Sequence, residues 1–135
     1  MQLRFSDFDL LGHVNNAVYF TLFEEARMGY FRRIAGIPDH LWKKPPVILA
    51  SMSVDFLMPI ETPADHEIAV RCTRIGTKSF ELEYELRQRE SGISRPVARA
   101  RSVMVCYDYD KKQTVPVFPE WIEKLERFEQ KALRR

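Results

Sequence analysis

The chain has 135 residues, 45% of them hydrophobic, and its 21 basic and 19 acidic side chains leave a net charge of +2. That length suits one compact core and is short for two, and a charge so nearly balanced argues against a general nucleic-acid surface. No apolar run approaches the roughly 20 residues needed to span a bilayer and no basic region leads into an apolar signal core, so residues 1–135 read as one cytoplasmic, soluble domain with no membrane partner.

A short strand is expected over residues 2–5. Next come Asp7, Asp9, His13, Asn15 and Asn16, which set carboxylates, an imidazole and carboxamides directly before a segment of helical periodicity. Tyr19, Leu22, Phe23, Ala26, Tyr30 and Ile34 keep the three-and-four spacing of an amphipathic helix, and Gly36 followed by Pro38 supplies a stop. The helix is expected from about residue 16 to about residue 35, with Tyr19 and Phe23 turned inward. Glu24 and Glu25 read as a surface pair near Arg27. Asn15 or Asn16 can cap the helix, and the free amides of its first turn can donate to a developing oxyanion. Read in isolation, the segment serves equally as plain capping or as catalysis.

The remaining elements have period two. Residues 47–56 read as a strand, followed by turns at Pro59 and Pro63. Ile68, Val70 and Cys72 mark a half-buried strand closed by Gly76, with His66 left in a loop. Phe80, Leu82, Tyr84 and Leu86 alternate with Glu81, Glu83, Glu85 and Arg87, the clearest strand signal in the chain, whose Glu row reads as a solvated face. A turn at Ser91 and Gly92 leads into a strand over residues 97–107, with a short extension at Val115 and Val117. Pro119 opens a final helix whose stripe is Trp121, Ile122, Leu125 and Phe128, and Lys131, Arg134 and Arg135 suit its C-terminus. Helices packed on one antiparallel sheet give an α+β class. Cys72 and Cys106 lie apart, without ligand spacing, and read as reduced core thiols. No metal site, cofactor loop or nucleophile elbow is present in the sequence.

Arg4-Phe5-Ser6-Asp7-Phe8-Asp9, Gly12-His13-Val14-Asn15-Asn16, Tyr19 and Glu25-Ala26-Arg27 together resemble the signature of the 4-hydroxybenzoyl-CoA thioesterase-like branch of the hot-dog superfamily. The likeness continues in Asp55-Phe56-Leu57-Met58-Pro59, in Gly76-Thr77-Lys78-Ser79-Phe80 and across residues 98–108. The resemblance implies a curved antiparallel sheet wrapped around the long helix, and homodimers joined sheet edge to sheet edge that often assemble into homotetramers. It also implies acyl-CoA bound between protomers and hydrolysed without a metal or cofactor.

Residue roles follow from the same likeness. Asp9 aligns with the family carboxylate that serves either as nucleophile or as general base. Asn16 falls at the oxyanion-binding start of the helix, with Asn15 as its substitute. Lys78, Ser79 and Phe80 match the segment beside the pantetheine arm. His13 resembles the His of plant acyl-carrier-protein thioesterases, although their intervening Asn is replaced here by Leu11, and it is expected to orient Asp9 or a water. Arg71, Arg74, Arg99, Arg101, Lys111 and Lys112 are candidate phosphate contacts. Other readings are hydrolysis of acyl groups on an acyl carrier protein, with Arg32 and Arg33 on the docking face, or noncatalytic acyl-CoA binding.

Overall fold

The computed structural model describes residues 16–35, 46–60 and 65–134. The strand expected over residues 2–5, and with it Asp9, His13 and Asn15, lies outside the described residues. Helix α1 spans Asn16–Ala35, the bounds expected from its apolar spacing, and ends on Arg32 and Arg33, which suit its negative pole. Tyr19, Leu22, Phe23, Tyr30 and Phe31 are buried along one side. Phe31 extends the stripe beyond the residues picked out by spacing.

The sheet contains β1 (Val47–Phe56), β2 (Asp65–Ile75), β3 (Ser79–Glu90) and β4 (Ile93–Asp108) in the order β1-β4-β3-β2, with β5 (Gln113–Thr114) added to β4. Every pairing is antiparallel. β3 is paired along both edges, and its alternation separates two environments. Phe80, Leu82, Tyr84 and Leu86 are buried beneath α1, while Glu81, Glu83, Glu85 and Arg87 stand half-buried on the outer face. The outer Glu row is more than a solvated face, because it is laced across strands. Arg71 donates to Glu83 at 2.8 Å, Arg99 to Glu85 at 3.1 Å, and Arg87 to the other oxygen of Glu85. Arg71, Glu83, Glu85 and Arg99, together with Asp55 and Ser53, line a hollow of about 640 Å³. Exposed pairs of this kind stabilise little individually, but they fix which residues stand opposite one another.

Two irregularities keep apolar residues facing inward. In β1 the register shifts between Leu49 and Ser51, so the inner side of the strand changes from Val47 and Leu49 to Met52, Val54 and Phe56, of which Leu49 and Phe56 remain exposed at this sheet edge. A second shift between Cys72 and Arg74 brings Ile75 to the core beside Cys72. His66, expected in a loop, lies within β2 and is buried. β3 and β4 meet at Ser91 and Gly92, both with positive φ (52° and 76°), a two-residue turn whose twist matches the strands.

Helix α2 (Pro119–Glu129) begins with Pro in its first turn, as expected, and closes through Gln130 in the left-handed region at φ 59°. Lys131 and Arg134 therefore fall beyond the helix instead of in its last turn. Arg134 bridges to Ile75, and the Leu133 carbonyl accepts the Ile75 N–H at 3.0 Å, so the chain end straps β2. The short extension is formed by Gln113 and Thr114, while the Val115 and Val117 amides donate to Cys106 and Thr77 at 3.0 and 2.9 Å. Phe31 packs edge-on against Trp121 (5.3 Å) and Phe80 (6.0 Å), joining both helices to β3.

A polar lock ties α1, α2 and β2 together. The Tyr30 hydroxyl donates to Glu129 Oε1 at 2.6 Å, and the Cys72 N–H reaches the same carboxylate at 3.1 Å. Replacing Glu129 with Ala strands the Tyr30 hydroxyl proton and leaves the Cys72 N–H only its longer bond to the Tyr30 oxygen at 3.2 Å, so Glu129→Ala is expected to lower unfolding free energy by about 1–3 kcal/mol, read as a shift of the urea midpoint.

Candidate functional site

Asn16 is the first residue of α1 and its side chain is exposed. The first turn carries no acidic residue, so the partial positive charge of its amides is not offset within the helix. Tyr19 anchors this end. Its ring meets Phe56 edge-on at 4.9 Å, and its hydroxyl is hydrogen-bonded to the Ile60 backbone. The start of α1 is thereby fixed beside the end of β1. Phe20, Phe56 and Leu57 are 44%, 43% and 46% exposed there, a substantial apolar rim around an amide-rich helix end.

Lys78, Ser79 and Phe80 stand elsewhere. The Lys78 carbonyl accepts from the Cys106 N–H at 3.0 Å, and the Ser79 carbonyl accepts from Gly76 at 2.7 Å. The Phe80 ring is fully buried between Phe31 and Trp121, so its side chain belongs to the core and leaves only its backbone for ligand contact. Tyr19 and Phe31 mark the two ends of α1, about 18 Å apart at the helical rise. Within one protomer, then, Asn16 and the Lys78–Ser79 turn occupy opposite ends of the helix.

Other candidates divide clearly. Arg71, Arg99 and Arg101 are engaged with Glu83 and Glu85 on the outer face, whereas Arg74, Lys111 and Lys112 are exposed. Their partners hold the Glu85 carboxyl below its ordinary range, Arg87 and Arg99 being the main causes. Arg27 is the residue that sequence reasoning misplaced: its side chain is only 7% exposed, beneath the sheet. Its spacing of four residues from the buried Phe23 and three from the buried Tyr30 carried little signal, because an arginine two residues from Glu25 reads as part of a surface pair. Among the described residues, no cluster of His, Cys, Asp and Glu could hold a metal, and no helix is long and apolar enough to cross a membrane.

Neither cysteine is a nucleophile. Both are free and buried, and burial pushes the Cys72 thiol up to about 12 from 9.0. Burial, and then Glu129, raises Tyr30 in the same sense. A raised acid favours the folded state while the unfolded group is still neutral, so this stability is complete below pH 9 and is lost as pH approaches 12. The urea midpoint is expected to fall across that window, and to fall less steeply in Cys72→Ala.

With the geometry in place, comparison with known proteins identifies the class. A model of the thioesterase-like superfamily matches residues 3–125, and the chain belongs to that superfamily. A thioesterase from Thermus thermophilus solved with coenzyme A and Zn is 32% identical, with a TM-score of 0.83, over 98% of this chain and 93% of that one. A mutant 4-hydroxybenzoyl-CoA thioesterase solved with 4-hydroxybenzoyl-CoA has a TM-score of 0.80 at 19% identity, covering 93% of this chain and 94% of that one, a likeness of fold. The uncharacterised protein YsmA of Bacillus subtilis (strain 168) is 31% identical over 84 residues, which make up 62% of this chain and 56% of YsmA. The match thus spans little more than half of that relative. The fold is the expected hot-dog arrangement, and the superfamily's chemistry is thioester hydrolysis.

Proposed function

We propose that this chain hydrolyses an acyl-CoA thioester to the free acid and CoA. The observation that carries the reading is the position of the two candidate segments at opposite ends of an unpaired edge strand. β1 pairs only with β4 among the described strands. Its Phe56 end adjoins Tyr19 and the start of α1, while Ile48 near its other end shares a row with Val105 and Ser79. Antiparallel pairing of β1 with its copy would bring the partner subunit's Lys78 and Ser79 to this protomer's Asn16. A homodimer therefore completes two sites, and pairs of dimers give the homotetramer.

In this reading the thioester carbonyl points at the first amides of α1, and Asn16 N–H, with Asn15 beside it, stabilises the oxyanion. Asp9 attacks the carbonyl directly or takes a proton from the attacking water, and His13 orients Asp9 or that water. Collapse of the tetrahedral intermediate expels CoA thiolate, giving the free acid directly on the water route and, on the nucleophile route, an Asp9 mixed anhydride that water then hydrolyses to the acid and free Asp9. The pantetheine arm runs past Lys78, Ser79 and the Phe80 backbone. No metal or cofactor enters, and the reaction is assigned to the cytoplasm.

Thiol release from short, medium, long and aromatic acyl-CoAs tests the proposal. Asp9→Asn is expected to lower turnover at least about a hundredfold in a folded protein, the scale of losing a general base or nucleophile. Saturable binding with no turnover would replace the reading with a noncatalytic module, and faster release from acyl carrier protein would move the substrate to the carrier. Leu49→Lys on the exposed edge is expected to raise the monomer fraction in sedimentation and to lower kcat/KM most at low protein concentration.

A further inference from the structure

The turn over residues 76–79, beside which the proposed pantetheine arm runs, is braced by α2 and its flanks as well as by the sheet. The chain leading into α2 reaches it first, where the Val117 N–H donates to the Thr77 carbonyl at 2.9 Å. The helix itself packs beneath the next residues, with the Trp121 ring 6.2 Å from that of Phe80. The chain leaving α2 closes the other flank: the Leu133 carbonyl accepts the Ile75 N–H at 3.0 Å, and Arg134 bridges Ile75 in the parallel sense. One helix and the two segments that flank it therefore bracket the turn on both sides.

Glu126 fixes the second flank. Its carbonyl accepts the Lys131 N–H at 3.2 Å, where Gln130 reverses the chain at φ 59°, and its carboxylate accepts the Leu133 N–H at 2.8 Å. Arg134 Nη2 stands 3.7 Å from the other carboxylate oxygen. The Leu133 side chain is only 2% exposed, so the strap is seated in the core. The Glu126 side chain is itself 20% exposed, which shields its charge-assisted bond from water better than a surface ion pair.

The path continues into the turn. Ile75 precedes Gly76, whose N–H donates to the Ser79 carbonyl at 2.7 Å. A Cβ on residue 76 would stand 3.4 Å from both the Ser79 carbonyl oxygen and Ser79 Oγ, so the Ser79 hydroxyl packs against Gly76. Three hydrogen bonds, Leu133 to Glu126, Ile75 to Leu133 and Gly76 to Ser79, thus connect a carboxylate on α2 to a residue assigned to the pantetheine arm.

We infer that Glu126 is a positioning residue for coenzyme A binding, setting the turn over residues 76–79 against the pantetheine arm by holding the Leu133 strap on β2. This inference rests on the acyl-CoA reading and concerns its binding half, because the proposed chemistry belongs to the opposite end of α1.

The test places the acyl group best cleaved in the acyl-CoA panel on two thiols, CoA and N-acetylcysteamine, the second lacking most of the pantetheine arm and the nucleotide. Glu126→Ala removes the acceptor, and Glu126→Gln keeps an amide oxygen for the Leu133 N–H. In Glu126→Ala the KM for the CoA ester is expected to rise roughly three- to tenfold, the scale of a weakened hydrogen bond, with kcat held. The N-acetylcysteamine ester is expected to keep its kcat/KM, and Glu126→Gln to restore most of the CoA KM. Loss of both esters together marks a merely structural role, and that result, or an unchanged CoA KM, overturns the inference while leaving hydrolysis standing. Calorimetric titration with CoA reads the same turn without turnover. If no thioester is cleaved, CoA binding that weakens in Glu126→Ala and returns in Glu126→Gln keeps the positioning role and overturns the hydrolase reading. Equal CoA binding by all three proteins, or none by the native one, then overturns both.

Discussion

Strand β3 is the constraint on which the rest of the molecule depends. It is hydrogen-bonded along both edges, so neither of its faces can shift without carrying β2 and β4 along. Its inner side presents Phe80, Leu82, Tyr84 and Leu86 to α1, and removing that apolar surface from water is the dominant favourable contribution to the fold. Its outer side presents glutamates to arginines on both neighbours. A slip of one residue would drive the Glu row into the core, which is why the register is so strongly specified.

The same packing explains how the candidate site is built. α1 does not rest on the sheet uniformly: aromatic contacts at Tyr19 and Phe31 pin it near its two ends, against Phe56 and against Phe80 with Trp121. The helix start is thus pinned by its ring contacts, a placement that suits the anion-binding role proposed for its amides. Between the two pins the layer is more polar, with Arg27, Tyr84 and Ser102 in contact. The polar groups at the helix start and those in the layer beneath it are separated along one element by the placement of its rings.

Much of this was legible in the residues. The helix bounds followed from apolar spacing and the Gly36 and Pro38 stop, and β3 from unbroken alternation, because local periodicity and tertiary burial agree there. The inward placement of Tyr19 and Phe23 followed for the same reason. What escaped depends on three-dimensional neighbours. Arg27 looked like a surface partner of Glu25, since nothing in a one-dimensional pattern marks Tyr84 as lying beneath it. His66 looked like a loop residue because β2 extends past its apolar core into Asp65. The bulges were visible only in hindsight, as the change from odd to even inner positions in β1 and from even to odd in β2. For the candidate site, the likeness named Asn16 and the Lys78–Ser79 turn as candidates, but no residue pattern showed that a single protomer sets them at opposite ends of α1.

The bulge in β1 carries a consequence for how the protein can associate. An open strand edge is a template for any extended chain, and a flat one would recruit partners in either direction and at many offsets. The extra residue between Leu49 and Ser51 kinks the edge and increases its twist, so few offsets remain sterically acceptable. If such an edge pairs with a copy related by a two-fold axis, as the proposed dimer requires, one association consumes it and closes at two subunits, whereas a regular edge would be free to grow into open-ended fibrils.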